Sequence, residues 1–139
     1  MANQEEKSGK ISVLLVDYED NIIDILERFM DTIGVSHMSA NDGEEAYSMF
    51  LEHKPDMIIS DIYMPRMNGL ILLKKIKKIS EEDCPVILIT GFDHYRQLLD
   101  TENFKPEGFL QKPIDLRQLL NLMLKFFPQL AANIKERTK

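Results

Sequence analysis

Three short, nearly continuous apolar runs constrain the fold of this chain more than any other feature. They cover residues 11–16, 56–60 and 85–90, and the first two stop at Asp17 and Asp61. Runs of this length without alternation are typical of strands that are buried on both faces, as in parallel sheets. The pattern therefore predicts a layered α/β protein in which two of the buried strands each end at an aspartate.

Stretches with helical periodicity separate these strands. Apolar residues recur at helical spacing from Ile22 to Ile33, with Asp20 or Asn21 as the N-cap and Gly34 at the helix end. Further helices are predicted before Pro55, over about 69–79 and from about 115, with a weaker helix over about 93–100 and a short helical piece after Pro128. Short strands are predicted over 35–40 and 108–111.

The third helix is predicted to be amphipathic. Leu72, Leu73, Ile76 and Ile79 are expected to face the core, and Lys74, Lys75, Lys77 and Lys78 are expected to form a solvated face.

Five strands that alternate with five helices predict a doubly wound, flavodoxin-like fold with a parallel sheet. The expected strand order is 2-1-3-4-5. In that order the first and third strands are neighbours at the point where the winding reverses, and ligands collect at this point beyond the carboxyl ends of the strands. Asp17 and Asp61 are therefore predicted to meet over one crevice.

Composition excludes several classes of function. The chain has 139 residues, which suits one domain, and its net charge of -6 does not complement nucleic acid or an anionic membrane surface. Cys84 is the single cysteine and is expected to be buried, so no intrachain disulfide can form. No apolar stretch approaches the roughly 18 residues that a membrane span needs, so a soluble, cytoplasmic protein is expected.

Several motifs at the predicted strand ends resemble the receiver domain of two-component response regulators. They are Asp17, then Asp61 with Met64-Pro65-x-Met67-x-Gly69, then Thr90-Gly91 and Lys112-Pro113. The resemblance covers about residues 10–127. It leaves residues 1–9 as a disordered lead and residues 128–139 as a helical tail or the start of a linker. A stand-alone receiver and a piece of a longer regulator both remain open.

The resemblance implies a role for each residue of the constellation. Asp61 would accept a phosphoryl group from a phosphohistidine of a sensor histidine kinase or a histidine phosphotransfer domain, and Mg²⁺ would assist. Asp17, Asp61 and the backbone carbonyl of Tyr63 would hold the metal. Lys112 would neutralise charge on the phosphoryl oxygens, and Thr90 would hydrogen-bond one of them and act with Phe109 as the switch.

The same resemblance implies a signalling output and no turnover substrate. Phosphorylation would change the affinity for a downstream protein target at the face built by the fourth helix, fifth strand and fifth helix, and a homodimer could use that face too. The chain would therefore be a switch that is itself phosphorylated and dephosphorylated, not an enzyme.

One position departs from the family pattern. Most receivers have two adjacent acidic residues after the first strand, and the second ligates magnesium, but this chain has Asp17 followed by Tyr18. Magnesium prefers about six oxygen ligands, so weaker metal binding is expected. Glu19 and Asp20 follow, and one of them could reach the metal if the loop bent differently, but their expected roles are a common acidic position of the family and a helix cap.

Tyr18 leaves a second interpretation open, in which the chain is a phosphorylation-impaired protein-binding module with the same fold. A metal-dependent phosphohydrolase is a weaker alternative, because Ile62 and Tyr63 follow Asp61 and place no general acid there. A flavin-binding protein is disfavoured, since the acidic stretch after the first strand would repel a phosphate.

Overall fold

A five-stranded parallel sheet organises the computed structural model, which describes residues 10–80, 84–91 and 105–137. The elements in chain order are β1 (Ser12–Val16), α1 (Asp20–Thr32), β2 (Ser36–Ala40), α2 (Gly43–His53), β3 (Met57–Asp61), α3 (Gly69–Ser80), β4 (Val86–Thr90), β5 (Gly108–Gln111), α4 (Leu116–Phe126) and α5 (Leu130–Arg137). The predicted helix over 93–100 and the predicted lead over 1–9 lie outside the described residues.

The strand order is β2-β1-β3-β4-β5, which confirms the predicted topology. β1 and β3 pair in parallel, and Val16 lies opposite Ser60. The residues that follow, Asp17 and Asp61, therefore leave the sheet side by side at its carboxyl edge. None of the helices in the described ranges is long and apolar enough to cross a membrane.

Alternation along the strands sends apolar side chains to both faces of the sheet. Leu14 and Ile58 belong to one buried cluster, and Val13, Leu15 and Ile59 belong to the other. All five residues of β3 and all five of β4 are buried. The continuous apolar runs of the sequence thus reflect helices packed on both sides, and Cys84 is buried as predicted.

Helix α1 begins at Asp20, so its N-cap precedes both of the predicted capping residues. Its N-cap is Glu19, which makes no side-chain capping bond. Instead, the Glu19 backbone N–H donates to Asp17 Oδ1 at 2.9 Å, and the Glu19 carbonyl accepts from Ile22 and Ile23. The prediction of Asp20 or Asn21 as N-cap was therefore wrong, whereas Gly34, with a φ of 77°, ends the helix as expected.

Two predictions for α3 were wrong. Lys77 is not on the solvated face, because it is buried and its Nζ lies 2.8 and 2.7 Å from the two carboxylate oxygens of Glu107. Ile79 does not face the core and is 54% exposed. Glu107 also accepts from the backbone N–H of Val86, so the buried pair joins α3 to the beginnings of β4 and β5.

Candidate functional site

Asp17 and Asp61 lie at the carboxyl edge of the sheet, and the cluster that they form with Lys112 is called the acidic pocket, or simply the pocket, below. Asp17 is fully buried and Asp61 is 6% exposed. Asp17 Oδ1 accepts from the Glu19 backbone, whereas Asp17 Oδ2 makes no hydrogen bond. The structure thus brings together the two aspartates that the sequence placed at neighbouring strand ends.

Lys112 supplies the positive charge of the pocket. Its Nζ lies 3.3 Å from Asp61 Oδ2, 3.2 Å from Asp17 Oδ2 and 2.9 Å from Glu19 Oε1. The contact with Asp17 is an ion pair without hydrogen-bond alignment, so it does not satisfy Asp17 Oδ2. Lys112 follows β5 directly, and its backbone N–H donates to the carbonyl of Thr90. One ammonium therefore serves three carboxylates.

Burial and mutual repulsion shift the pKa values of this cluster. Burial, followed by the nearby charge of Asp17, raises the pKa of Asp61 to about 6, although Lys112 opposes the shift. Burial also raises the pKa of Asp17, against the hydrogen bond from Glu19 and the charge of Lys112. For Lys112, burial lowers the pKa, but its three carboxylate partners outweigh that effect and raise it. The ammonium remains charged near neutral pH.

The raised pKa of Asp61 predicts a pH-dependent cost in stability. Its folded-state pKa lies above the ordinary 3.8, so the native state binds the proton more tightly. The resulting stabilisation is complete below about pH 4 and is lost as the pH rises through about 6. We expect Asp61→Asn to increase the free energy of unfolding by about 1–2 kcal/mol at about pH 8, and to leave it nearly unchanged at about pH 4.

Urea denaturation at the two pH values, in the presence of a metal chelator, measures this difference. Asp24→Asn is the matched control, because Asp24 lies on the surface of α1 in an exposed pair with Arg28. If Asp61→Asn increased the free energy of unfolding equally at both pH values, ionised Asp61 could not be the source of the lower stability at high pH.

The remaining predicted site residues lie around the same edge. Thr90 is fully buried at the end of β4, and Phe109 lies on β5 and packs partly buried against the core cluster that contains Leu88. Tyr63 is 40% exposed and Tyr18 is 62% exposed. The side chain that stands at the departure from the family pattern therefore points largely to solvent.

The loop that follows Asp61, residues 62–68, is fastened at both ends and is called the acceptor loop below. A Cβ on Gly69 would overlap the backbone oxygen of Asp61, and a Cβ on Gly43 would overlap the Met67 carbonyl. Arg66, at a φ of 68°, donates from its guanidinium to Asp42. The starts of α2 and α3 thus hold this loop by direct backbone contact.

Sequence reasoning missed two of these contacts. It did not pair Glu19 with Lys112, and it gave Arg66 and Asp42 no role. The separations are 93 and 24 residues, so no local pattern reports them. The Asn41-Asp42-Gly43 turn was a usable signal, because an Asp before a helix start caps that helix, as Asp42 does through the Glu45 N–H.

The donor set around Asp17 fits a weakly held hard cation. Asp17 Oδ2 is buried without a hydrogen bond, and it and Asp61 Oδ2 lie 3.2 and 3.3 Å from the same ammonium. No cluster of three or more carboxylate, imidazole or thiol side chains suited to a metal occurs in the part of the chain that the structure describes. Glu19 is engaged with Lys112, and Asp20 accepts from the Asn41 side chain, so neither replaces the carboxylate absent at Tyr18.

A five-stranded parallel sheet in the order 2-1-3-4-5, with two buried aspartates and a lysine at its carboxyl edge, defines a CheY-like α/β domain. A family model described as the response regulator receiver domain matches residues 13–124. The chain belongs to the response regulator receiver domain family.

Named relatives agree with this assignment. The chain is 33% identical over 110 residues to a probable transcriptional regulator, ycf27, of Guillardia theta. The aligned region covers 79% of this chain and 42% of that protein. It is 31% identical over 112 residues to the autoinducer 1 sensor kinase/phosphatase LuxN of Vibrio harveyi. The aligned region covers 81% of this chain and 13% of that protein. The chain thus spans less than half the length of these curated relatives.

Solved structures agree as well. The N-terminal domain of an uncharacterized protein from Wolinella succinogenes is 30% identical, with a TM-score of 0.77 over 88% of this chain and 98% of that one. The CheX–CheY–BeF3–Mg²⁺ complex from Borrelia burgdorferi contains a chain that is 26% identical, with a TM-score of 0.72 over 88% of this chain and 93% of that one.

Proposed function

We propose that this chain is a phosphorylatable receiver of a two-component phosphorelay, with Asp61 as the phosphoacceptor. The observation that carries the proposal is the contact of a buried, strand-end aspartate with the ammonium of Lys112, 3.3 Å away, beside a second buried aspartate. The phosphodonor would be a phosphohistidine on a sensor histidine kinase or a histidine phosphotransfer domain. Similarity to the autoinducer 1 sensor kinase/phosphatase LuxN of Vibrio harveyi supports such a partner.

The transfer would be an in-line displacement at phosphorus. An ionised oxygen of Asp61 forms the new O–P bond while the P–N bond to the donor imidazole breaks, and the electron pair of that bond returns to the imidazole nitrogen. Asp61 must be ionised to attack phosphorus. Lys112 would offset the charge on the transferring oxygens, and the Thr90 hydroxyl would donate to one of them.

Magnesium is the cofactor that we propose, held by Asp17, Asp61 and the backbone carbonyl of Tyr63. When bound, it would neutralise charge on the phosphoryl oxygens. The buried Asp17 Oδ2 supports this choice because it has no hydrogen bond in the resting pocket. The Borrelia burgdorferi complex, which contains Mg²⁺ and BeF3 with a protein similar to this chain, also supports it.

The output would be a change in affinity for a downstream protein partner, with no turnover substrate. Phosphorylation adds about -1.5 to -2 charge in a buried pocket, where it is screened little. Thr90 and Phe109 would carry the change away from Asp61, because they lie on the two adjacent strands β4 and β5. The CheX–CheY complex from Borrelia burgdorferi shows a related receiver bound to a protein partner.

Intact mass spectrometry after incubation with acetyl phosphate tests the proposal. We expect the wild-type chain to gain one phosphoryl group in the presence of Mg²⁺, and Asp61→Asn to gain none. Asp24→Asn, which changes an exposed aspartate of the same charge, should behave as the wild type does. Uptake by Asp61→Asn at the wild-type rate would rule out Asp61 as the acceptor.

Tyr18 favours one second candidate, a receiver-like binding module that is phosphorylated inefficiently. Its side chain is 62% exposed and adds no oxygen ligand to the pocket. A magnesium titration of the wild type and of Tyr18→Asp separates the candidates. Binding only in the variant would support the binding module, whereas binding and phosphoryl uptake in the wild type would exclude it.

A further inference from the structure

The contact between Glu19 and Lys112 is the shortest of the three ion pairs that the lysine makes. Glu19 Oε1 lies 2.9 Å from Nζ, compared with 3.2 Å for Asp17 and 3.3 Å for Asp61. The exposures of the partners differ sharply. The side chain of Glu19 is 55% exposed, whereas those of Asp17 and Asp61 are 0% and 8% exposed.

The backbone delivers Glu19 to this position. Its N–H is held by Asp17 Oδ1, and its carbonyl accepts the first hydrogen bonds of α1. The side chain makes no capping bond to the helix. The carboxylate therefore reaches Lys112 Nζ from a fixed point of the backbone.

A phosphoryl group on Asp61 would change the competition for the ammonium. It would place a dianion in the buried part of the pocket, where charge interactions are strong, while Glu19 could return to water at little cost. Resting on the proposed function, we propose that Glu19 is a positioning residue that tethers Lys112 in the resting state. It thereby competes with the phosphoryl group and biases the switch toward the unphosphorylated form.

The affinity for beryllium trifluoride, a phosphoryl analogue, at a fixed magnesium concentration measures this bias. An exposed ion pair contributes about 0.2–1 kcal/mol, so Glu19→Gln should bind the analogue about 1.4- to fivefold more tightly than the wild type. Chemical shifts in NMR spectra report the binding. Equal affinities in the two proteins would overturn the competition.

Two further variants separate a tether from a general effect of charge. Glu19→Asp keeps the charge but is one methylene shorter, so a tether predicts an affinity close to that of Glu19→Gln. Asp20→Asn removes the same charge from the next residue, which is bound to Asn41 and not to Lys112. A tether predicts wild-type affinity for Asp20→Asn, whereas tighter binding in Asp20→Asn and wild-type affinity in Glu19→Asp would overturn it.

A measurement without any phosphoryl analogue tests the tether itself. The ¹⁵Nζ signal of Lys112 should show slow hydrogen exchange in the wild type and in Asp20→Asn, and faster exchange in Glu19→Gln and Glu19→Asp. Equal exchange in all four proteins would overturn the tether. If the exchange differs as expected but no protein binds the analogue or takes up phosphoryl, the proposed function fails and the competition fails with it.

Discussion

Gly69→Ala is expected to destabilise the chain by about 3 kcal/mol and to slow phosphoryl uptake by tenfold or more. Alanine favours a helix more than glycine does, so propensity alone would predict a gain at the start of α3. The loss of stability comes from a steric clash. The new Cβ would overlap the Asp61 backbone oxygen and lie 2.9 Å from the Ile62 Cα, so backbone, and not a flexible side chain, would have to move.

The displaced backbone belongs to the proposed nucleophile, which explains the effect on uptake. Urea denaturation measures the loss of stability, and the rate of phosphorylation by acetyl phosphate measures the loss of function. Gly91→Ala is the matched control, since a Cβ on Gly91 meets nothing within 4 Å among the described residues. A Gly69→Ala protein as stable as Gly91→Ala would show that α3 can shift without cost.

Lys77→Met is expected to reduce the free energy of unfolding by about 2–3 kcal/mol. Methionine matches the length of lysine and keeps its apolar contacts, so the loss isolates the charge. Glu107 would be left with a partly buried carboxylate that still accepts from the Val86 N–H, 2.7 Å away, but faces no ammonium from Lys77. An uncompensated carboxylate in such a position costs far more than the net contribution of an intact pair.

The second substitution Glu107→Gln should restore part of this loss. Glutamine can still accept from Val86 but carries no charge, so the double variant should be more stable than Lys77→Met alone. Lys78→Met on the exposed face of α3 should change stability by less than about 0.5 kcal/mol. Equal stability of Lys77→Met and Lys78→Met would contradict the structural role of the buried pair.

The sheet and the floor of the pocket could be predicted from the sequence because both follow from short-range patterns. Continuous apolar runs identify β1, β3 and β4, and parallel strands place their carboxyl ends at one edge. The meeting of Asp17 and Asp61 needed only this rule and the strand order. The assigned roles of Asp61, Lys112, Thr90 and Tyr63 in phosphotransfer stay predictions.

The two errors in α3 arose where residue type and position disagreed. Lys77 follows Leu70 and Leu73 at intervals of seven and four, so its position in the helix is an inward one, but its charge suggested solvent. Its partner, Glu107, is 30 residues away, and helical periodicity contains no information about it. Ile79 shows the reverse case, in which an apolar side chain at the end of a helix remains exposed.

The fastening of the acceptor loop gives the pocket one rigid wall. On the side of β1 and β3, the acceptor loop has little room to move. It is held by backbone contacts at Gly43 and Gly69 and by the pair between Arg66 and Asp42. The structural change caused by a charge added at Asp61 would then occur mainly on the other side of the pocket. There, Thr90 and Lys112 are joined by one backbone hydrogen bond. We expect a partner that contacts residues 62–68 to meet nearly the same surface in both states, and a partner that distinguishes the two states to bind toward β4 and β5.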